Sequence, residues 1–154
     1  MSETMCCDDA SELRLMIDGN CHLLAVRKAS RRLSQFYDQA LAPHGLTSGQ
    51  LALMAMILRH GRSTVQMLAG ALALDQSAVS RGIAPLERVG LVVSRSDDGD
   101  RRKRIVMLTD KGCQRLRTAA IAWKGAREQL EARNSGLDLN VLAAELDRLA
   151  FSVP

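Results

Sequence analysis

Residues Ser63–Gly112 decide the fold, and they read STVQMLAGALALDQSAVSRGIAPLERVGLVVSRSDDGDRRKRIVMLTDKG. An apolar-periodic run covers Thr64–Leu74, and after a break at Asp75 a second run covers Gln76–Arg88. Apolar residues that recur at three- and four-residue intervals favour a helix over a strand. The stretch therefore predicts two short helices joined by a tight turn.

Two short apolar pieces, Leu91–Val93 and Ile105–Leu108, follow the helices and flank a polar segment with five basic residues. Asp97-Asp98-Gly99 is a turn signal, and the pieces on either side are apolar enough to pair as strands. Helix, turn, helix and basic hairpin is the order of a winged helix-turn-helix. In that motif the second helix enters the DNA major groove and the hairpin reaches the flanking backbone.

The second predicted helix separates into a packing face and a polar face. Apolar or small residues spaced four, three and four apart predict one buried stripe: Val79, Ile83, Leu86 and Gly90. The opposite face carries side chains suited to base edges and phosphates, namely Gln76, Ser77, Ser80, Arg81 and Arg88. Glu87 lies to one side of it, and Pro85 is expected to bend the helix. Such a bend is tolerable if only the first two turns lie in the groove.

The predicted hairpin supplies the second set of DNA contacts. Its candidate residues are Arg95, Asp100, Arg101, Arg102, Lys103 and Arg104. Because arginine and carboxylate pair bidentately, Asp100 is expected to hold one neighbouring guanidinium in a fixed orientation. An arginine that is already held enters a minor groove at a lower entropic cost.

These residues resemble the MarR family of bacterial transcription regulators. The similarity lies in Leu74–Arg81, Pro85–Val92, Asp97–Arg102 and Leu108–Gly112, and the last two are its specific part. Leu41–Thr47 and the flanking helices also fit, so the resemblance covers nearly the whole chain. It implies an obligate homodimer with a DNA-binding lobe on each subunit, often switched by a small molecule or a thiol.

The fold expected from the whole chain is mainly α with a small β-hairpin wing. With 154 residues, 47% of them hydrophobic but only one Trp, one Tyr and two Phe, the core must consist of Leu, Ala, Val and Met. Residues 1–10 are predicted to be a disordered tail and 11–154 a single domain. Within that domain we expect dimerisation helices at 11–42 and 110–152 and the winged helix-turn-helix at 47–109.

The net charge indicates the kind of partner, and the cysteines bear on the cellular compartment. A net charge of +4 suits a polyanion, although an ordinary basic protein would show the same value, and its clustering in the hairpin favours DNA. The first residues are acidic and without an apolar core, so we expect no signal peptide. No apolar run exceeds about eight residues, against roughly twenty for a membrane span. We expect a cytoplasmic protein whose four cysteines stay reduced.

The first helix, from Ser11 to about Ala42, is too long for one small core to bury, so a partner subunit is expected to cover it. Arg27 lies on its inner stripe, where its charge must be paired or reach a wet cavity. The candidate effector pocket consists of Arg27, Tyr37, Met54 and Trp123, and a fixed cation there suits a small carboxylate. The alternatives are core packing for the uncharged members and an ion pair for Arg27.

Capping residues predict the remaining helix starts. Thr47 with Gln50 and Ser63 with Gln66 each match a capping box. Thr109 is expected to cap a helix that ends near Arg133. Asp138 is expected to cap a last helix with an apolar seam that needs another helix, formed by Leu139, Leu142, Leu146 and Leu149.

Cys21 is a candidate redox sensor, because peroxide-sensing members of the family keep a reactive cysteine near this position. Their cysteine would fall at Leu23, however, and of the assisting tyrosines only Tyr37 matches, so a buried inert thiol is the alternative. No metal site is predicted, since the spacing of the candidate ligands fits no standard zinc pattern: Cys6, Cys7, Cys21 and His22. No catalytic motif is found, so neither an enzyme nor a cofactor is expected.

The leading hypothesis is a homodimeric, sequence-specific regulator of transcription. It is expected to bind a pseudopalindromic operator in double-stranded DNA as a repressor, released by a small ligand or by thiol oxidation. The alternative is a helical protein-interaction module that kept the fold and lost DNA binding. Salt separates the two, because the displacement of phosphate counterions makes DNA binding weaken steeply as salt is added.

Overall fold

The computed structural model describes residues 21–97, 99–100 and 103–152. Predictions for the tail 1–10, for helical residues 11–20 and for Arg101 and Arg102 lie outside these ranges. The helices are α1 (His22–Leu41), α2 (Ser48–His60), α3 (Val65–Ala71), α4 (Gln76–Arg88), α5 (Asp110–Arg133) and α6 (Leu139–Ser152). The strands are β1 (Ser63–Thr64), β2 (Val92–Ser96) and β3 (Arg104–Leu108).

Residue contacts divide the chain into two units, Met1–Gln35 and Phe36–Pro154, with the boundary inside α1. Every residue from His22 to Gln35 is exposed in the single chain. Within the described ranges, no single helix is long and apolar enough to cross a membrane; His22–His44 and Ser48–His60 meet that test only together, across a 74° bend.

The second unit begins where α1 ends. A 3₁₀ turn at Ala42–His44 and Gly45 in the left-handed conformation, with φ of +65°, stop α1 as the Pro-His-Gly sequence predicts. The Thr47 hydroxyl accepts from the Gln50 amide at 3.2 Å, and the Gln50 side chain accepts from the Thr47 amide at 2.9 Å. This confirms the first predicted capping box, and α2 follows with four buried side chains: Leu51, Leu53, Met54 and Ile57.

The sheet has three antiparallel strands in the order β1-β3-β2. The predicted hairpin is confirmed, with Val92 opposite Leu108 and Ser96 opposite Arg104. The predicted capping box at Ser63 is wrong: Ser63 is a fully buried residue of β1 opposite Val106. Thr64 caps α3 instead, because its hydroxyl accepts from the Met67 amide at 3.1 Å. A strand of two residues is too short to produce the alternation by which strands are predicted.

Helix α4 has the bounds that the sequence predicts, and the Asp75 carboxylate caps it by accepting from the Ala78 amide at 2.7 Å. Three members of the predicted stripe are buried: Val79, Ile83 and Leu86. Gly90, the fourth predicted member, is exposed because it lies beyond the end of the helix, where its φ is +71°. Helix α3 ends at Ala71, earlier than predicted, and the turn places Ala73 at φ of +49°.

Helix α5 starts against the end of α4, and the Thr-x-Lys-Gly sequence makes this junction. The Thr109 hydroxyl donates to the Gly90 carbonyl at 2.8 Å and caps α5 by accepting from the Gly112 amide at 3.0 Å. The Lys111 ammonium donates to the Val89 carbonyl at 2.8 Å. A Cβ on Gly112 would lie 2.0 Å from the Leu91 carbonyl oxygen, so only glycine permits this approach.

The core of the second unit lies between α2, α4, the sheet and the first half of α5. Its large, fully buried side chains are Leu41, Met54, Ile57, Leu68, Leu86, Leu91, Val79 and Val106. Helix α6 lies outside this core. The Asp138 carboxylate caps it as predicted, accepting from the amides of Asn140 at 2.9 Å and Val141 at 3.1 Å. Most of the predicted leucine seam is exposed in the single chain, at Leu142, Leu146 and Leu149.

Candidate nucleic-acid interface

One side of α4 is polar and open to solvent. All five residues predicted there are exposed: Gln76, Ser77, Ser80, Arg81 and Arg88. They recur at helical spacing opposite the stripe that packs into the core. The Ser80 hydroxyl donates to the Gln76 carbonyl at 2.8 Å, while the Gln76 amide group has no described side-chain partner. The face presents donors and acceptors outward from a helix anchored on its other side.

The first turn of this face holds a chain of hydrogen bonds that sequence reasoning missed. The Ser77 hydroxyl donates to the Asp75 carboxylate, and the Arg81 guanidinium donates to the Ser77 hydroxyl at 3.0 Å. The hydrogen bond from Ser77, followed by that from the Ala78 amide, lowers the pKa of Asp75. An ionised carboxylate therefore stands at the start of the polar face.

The wing is the hairpin of β2 and β3, and Asp97 organises its turn. One Asp97 oxygen accepts from the amides of Gly99 at 2.8 Å and Asp100 at 3.3 Å, and Arg62 pairs with the other at 3.7 Å. The hydrogen bond from the Gly99 amide is the main cause that lowers the pKa of Asp97. Arg62, which precedes β1, was not among the predicted site residues, because its place beside the wing follows from the third strand.

The basic residues of the wing differ in how their charges are placed. Arg95 is exposed on β2. Asp100 pairs with the Lys103 ammonium at 3.7 Å, and the predicted pairing of Asp100 with Arg101 or Arg102 lies outside the described residues. Arg104 donates from one nitrogen to both carboxylate oxygens of Glu87, at 3.0 and 3.1 Å. The Glu87–Arg104 pair ties β3 to the last turn of α4, so Arg104 holds the wing against the helix.

A separate cavity of about 350 Å³ lies in the second unit. Its lining is mostly apolar: Tyr37, Ser48, Leu51, Ala52, Ala55, Leu116, Ala120 and Trp123. The Tyr37 and Trp123 rings are nearly parallel, 20° apart, with centroids separated by 6.4 Å. Burial is the main cause that raises the pKa of Tyr37, while the charge of Arg127 opposes the rise. The Tyr37 phenol that lines the cavity is therefore uncharged.

Two of the four predicted pocket residues do not line this cavity. Met54 is fully buried in the core, and Arg27 is an exposed residue of the first unit. The cation beside the aromatic pair is Arg127, whose guanidinium lies 5.8 Å from the Trp123 ring centroid. Arg127 also bonds Glu131 at 2.8 Å and Asn140 at 2.7 Å. Periodicity identifies a helix face but not the element that the face meets, so it did not single out Arg127.

The cysteines give no composite site among the residues that the structure describes. Cys21 and Cys113 are free thiols, each partly exposed. In the described ranges no three His, Cys, Asp or Glu side chains lie close enough to share a metal ion. Cys6 and Cys7 are outside those ranges.

Known proteins resemble this chain in sequence and in structure. A family model described as MarR family matches residues 44–103. The HTH-type transcriptional repressor NicR of Pseudomonas putida is 37% identical over 95 residues, which cover 62% of this chain but only 59% of that protein. The M. tuberculosis transcriptional regulator MosR in complex with DNA is 30% identical, with a TM-score of 0.77 over 86% of this chain and 95% of that one. The transcriptional repressor CouR, bound to a 23-mer DNA duplex, is 25% identical, with a TM-score of 0.72 over 92% and 95%.

Proposed function

The chain belongs to the MarR family of DNA-binding transcription regulators, and from that premise we propose that it is a sequence-specific repressor that binds double-stranded DNA as a homodimer. The observation that carries the proposal is the exposed polar face of α4 beside a basic wing, joined by the Glu87–Arg104 pair at 3.0 Å. The names of NicR and CouR support repression in place of activation. A cytoplasmic location belongs to the same proposal.

The proposed division of labour follows from the helix or hairpin that carries each residue. Helix α4 has 13 residues and is about 20 Å long at 1.5 Å per residue, so its first half fits a major groove. We assign base edges to Gln76, Ser80 and Arg81, which are exposed polar residues of that half. The cations further along meet the sugar-phosphate backbone or the minor groove: Arg88, Arg95, Arg101, Arg102 and Lys103.

The proposed homodimer accounts for apolar surface that the single chain leaves open. Leu23 is 65% exposed on α1, and Leu146 and Leu149 are 37% and 51% exposed on α6. Monomeric proteins rarely expose contiguous apolar seams, and a leucine seam at helical spacing packs well against another helix. A two-fold dimer presents two α4 helices to the DNA and therefore requires an operator with two related half-sites.

We assign the cavity to a small aromatic effector that enters uncharged. Its volume of about 350 Å³ suits a small organic molecule, and the stacked Tyr37 and Trp123 rings offer an aromatic wall. The Tyr37 and Ser48 hydroxyls and the Trp123 indole N–H are the polar side-chain groups of the lining, so they fix orientation by hydrogen bonds. The sequence predicted a small carboxylate as the ligand because it placed Arg27 in the pocket. Arg27 is not among the residues that line this cavity. Oxidation of the partly exposed Cys21 stays as a second proposed route of release.

The test of DNA binding begins with selection of duplexes from a random pool by the wild-type protein. We expect a pseudopalindrome, bound with an affinity that falls steeply as salt rises from 50 to 200 mM, by about 1,000-fold or more if six or more phosphates are contacted. Enrichment of no sequence, or an affinity indifferent to salt, favours the protein-interaction module instead.

A further inference from the structure

Helix α4 begins with a carboxylate in a place where a neutral cap would serve. Threonine caps three other helices of this chain, at Thr47, Thr64 and Thr109, and Asp138 caps α6. Serine and asparagine cap a helix as well as aspartate, and threonine does so nearly as well. A carboxylate on a face assigned to DNA is repelled by the phosphates, a cost that the Asp138 cap of α6 does not carry. Capping alone therefore does not account for Asp75.

The bonds around Asp75 give its charge a second use. The carboxylate accepts from the Ala78 amide at 2.7 Å and also from the Ser77 hydroxyl. A hydroxyl has one proton and two lone pairs, so a proton directed at Asp75 leaves a lone pair free on the other side. The Arg81 guanidinium donates to that oxygen at 3.0 Å. All three side chains are exposed on the face assigned to DNA.

We propose that Asp75 is a positioning residue that acts through Ser77 to hold Arg81 in the orientation that reads a base. This inference rests on the proposed DNA-binding function and on the assignment of Arg81 to a base edge. An arginine loses much rotamer freedom when it makes a bidentate contact, and a guanidinium held before binding loses less. The Asp75–Ser77–Arg81 chain thereby increases the discrimination between bases more than the affinity for DNA in general.

The experiment compares Asp75→Gly, Ser77→Ala and Arg81→Ala with wild type on the selected operator and on duplexes with each base changed in one half-site. The measured quantity is the ratio of Kd values, correct base over wrong base. We expect Arg81→Ala to identify the position that Arg81 reads. At that position Asp75→Gly, which removes the acceptor of the Ser77 hydroxyl, and Ser77→Ala should each reduce discrimination by roughly 3- to 10-fold, the ordering cost of one long side chain.

The affinity for unrelated DNA is the second measurement. Its direction of change separates a positioning role of Asp75 from simple repulsion between Asp75 and the DNA phosphates. Loss of the Asp75 charge removes repulsion, so Asp75→Gly should bind unrelated DNA more tightly while it discriminates less. Ser77→Thr keeps the hydroxyl and should restore discrimination. In an Arg81→Ala background, Ser77→Ala should cause no further loss, whereas a direct contact from Ser77 would still be lost.

Thr47→Ala is the matched control, because it removes an N-cap that has no arginine attached. It should lower Tm and leave discrimination unchanged. Glycine serves as an N-cap almost as well as aspartate, so Asp75→Gly stays folded. If Arg81→Ala loses discrimination and either Asp75→Gly or Ser77→Ala keeps it, the positioning role is overturned while the proposed function stands. If Arg81→Ala keeps it, or no operator is selected, both are overturned.

Discussion

At the scale of single residues, Gly112 shows how the absence of a Cβ allows two helices to approach each other closely. A methyl group there would lie 2.0 Å from the Leu91 carbonyl, so Gly112→Ala must displace α5 from the end of α4. We expect a loss of unfolding free energy of about 1 to 3 kcal/mol or more, as for other overpacked sites. Urea denaturation measures the loss. Gly49→Ala is the control, because nothing lies within 4 Å of its added methyl, and equal stabilities of both variants would contradict the prediction.

Asp97 is the residue at which we expect acid to weaken the wing. Hydrogen bonds from the Gly99 and Asp100 amides lower its pKa in the folded chain. Its stabilising effect is therefore complete above the ordinary aspartate value of about 4 and is lost as pH falls through the lower folded value. In Asp97→Asn the unfolding free energy should depend less on pH below about pH 4. An identical acid profile for wild type and Asp97→Asn would show that Asp97 does not stabilise the turn.

At the scale of elements, α4 and the wing should fail in different ways when their arginines are removed. Arg81→Ala should relax base preference at one position per half-site, at a cost of about 1 to 3 kcal/mol. Arg102→Ala should weaken binding to most sequences and flatten the dependence of log Kd on log salt, because it removes a phosphate contact. Binding titrations at several salt concentrations measure both. An unchanged salt slope in Arg102→Ala would mean that the wing does not touch DNA.

Contacts between residues that lie far apart in the chain hold the elements of the second unit together. Glu87 and Arg104 are separated by 17 residues, and the Arg115 guanidinium donates to the His44 carbonyl across 71. The first pair uses a wing arginine as a tether, and the second fixes α5 to the turn after α1. Arg104 therefore has a structural partner in addition to its place among the basic residues of the wing.

At the scale of the whole molecule, the exposed seam of α6 predicts how the proposed dimer can be broken. Leu146→Glu places a charge in a seam that needs an apolar partner, so it should shift the protein from dimer to monomer. Sedimentation measures this, with Asp147→Ala as the control on the same helix. Footprints of the wild type should show half-sites about 10 base pairs apart. A wild-type monomer, or a single unrepeated half-site, would contradict the proposed symmetry.

The proposed effector acts on the same assembly from the cavity. A ligand that prefers the dimer with its α4 helices wrongly spaced lowers operator affinity by its differential binding alone. Uncharged phenols should quench Trp123 fluorescence and release the operator in wild type and Arg27→Ala alike. Ala55→Leu fills the cavity and should abolish both effects. If only carboxylates bind, and Arg27→Ala abolishes that binding, the cavity is not the effector site.

A parallel titration with peroxide tests the proposed thiol route. If Cys21 is the sensor, peroxide should release operator DNA from the wild type and leave Cys21→Ser bound, with reduction restoring the wild-type complex. An equal response of the two proteins would make Cys21 a structural residue.

Local chemistry made much of this fold predictable from the order of residues. Val79, Ile83 and Leu86 mark the buried side of α4 because a helix repeats every 3.6 residues. The side chains of Thr47, Thr109 and Asp138 cap the amides two or three residues later, so each of these helix starts is predictable from a few adjacent positions. Family membership followed from the same short stretches.

Contacts between distant segments needed the folded chain. Ser63 becomes a strand residue because β3 lies beside it, and Gly112 is required because Leu91 passes above it. The cavity was expected around Arg27, but the cation beside Trp123 is Arg127, four residues further along α5. Spacing along one helix defines a face, whereas the element packed against that face depends on the balance of burial and sterics over the whole core. That balance is a property of the tertiary structure and is absent from any short window of sequence.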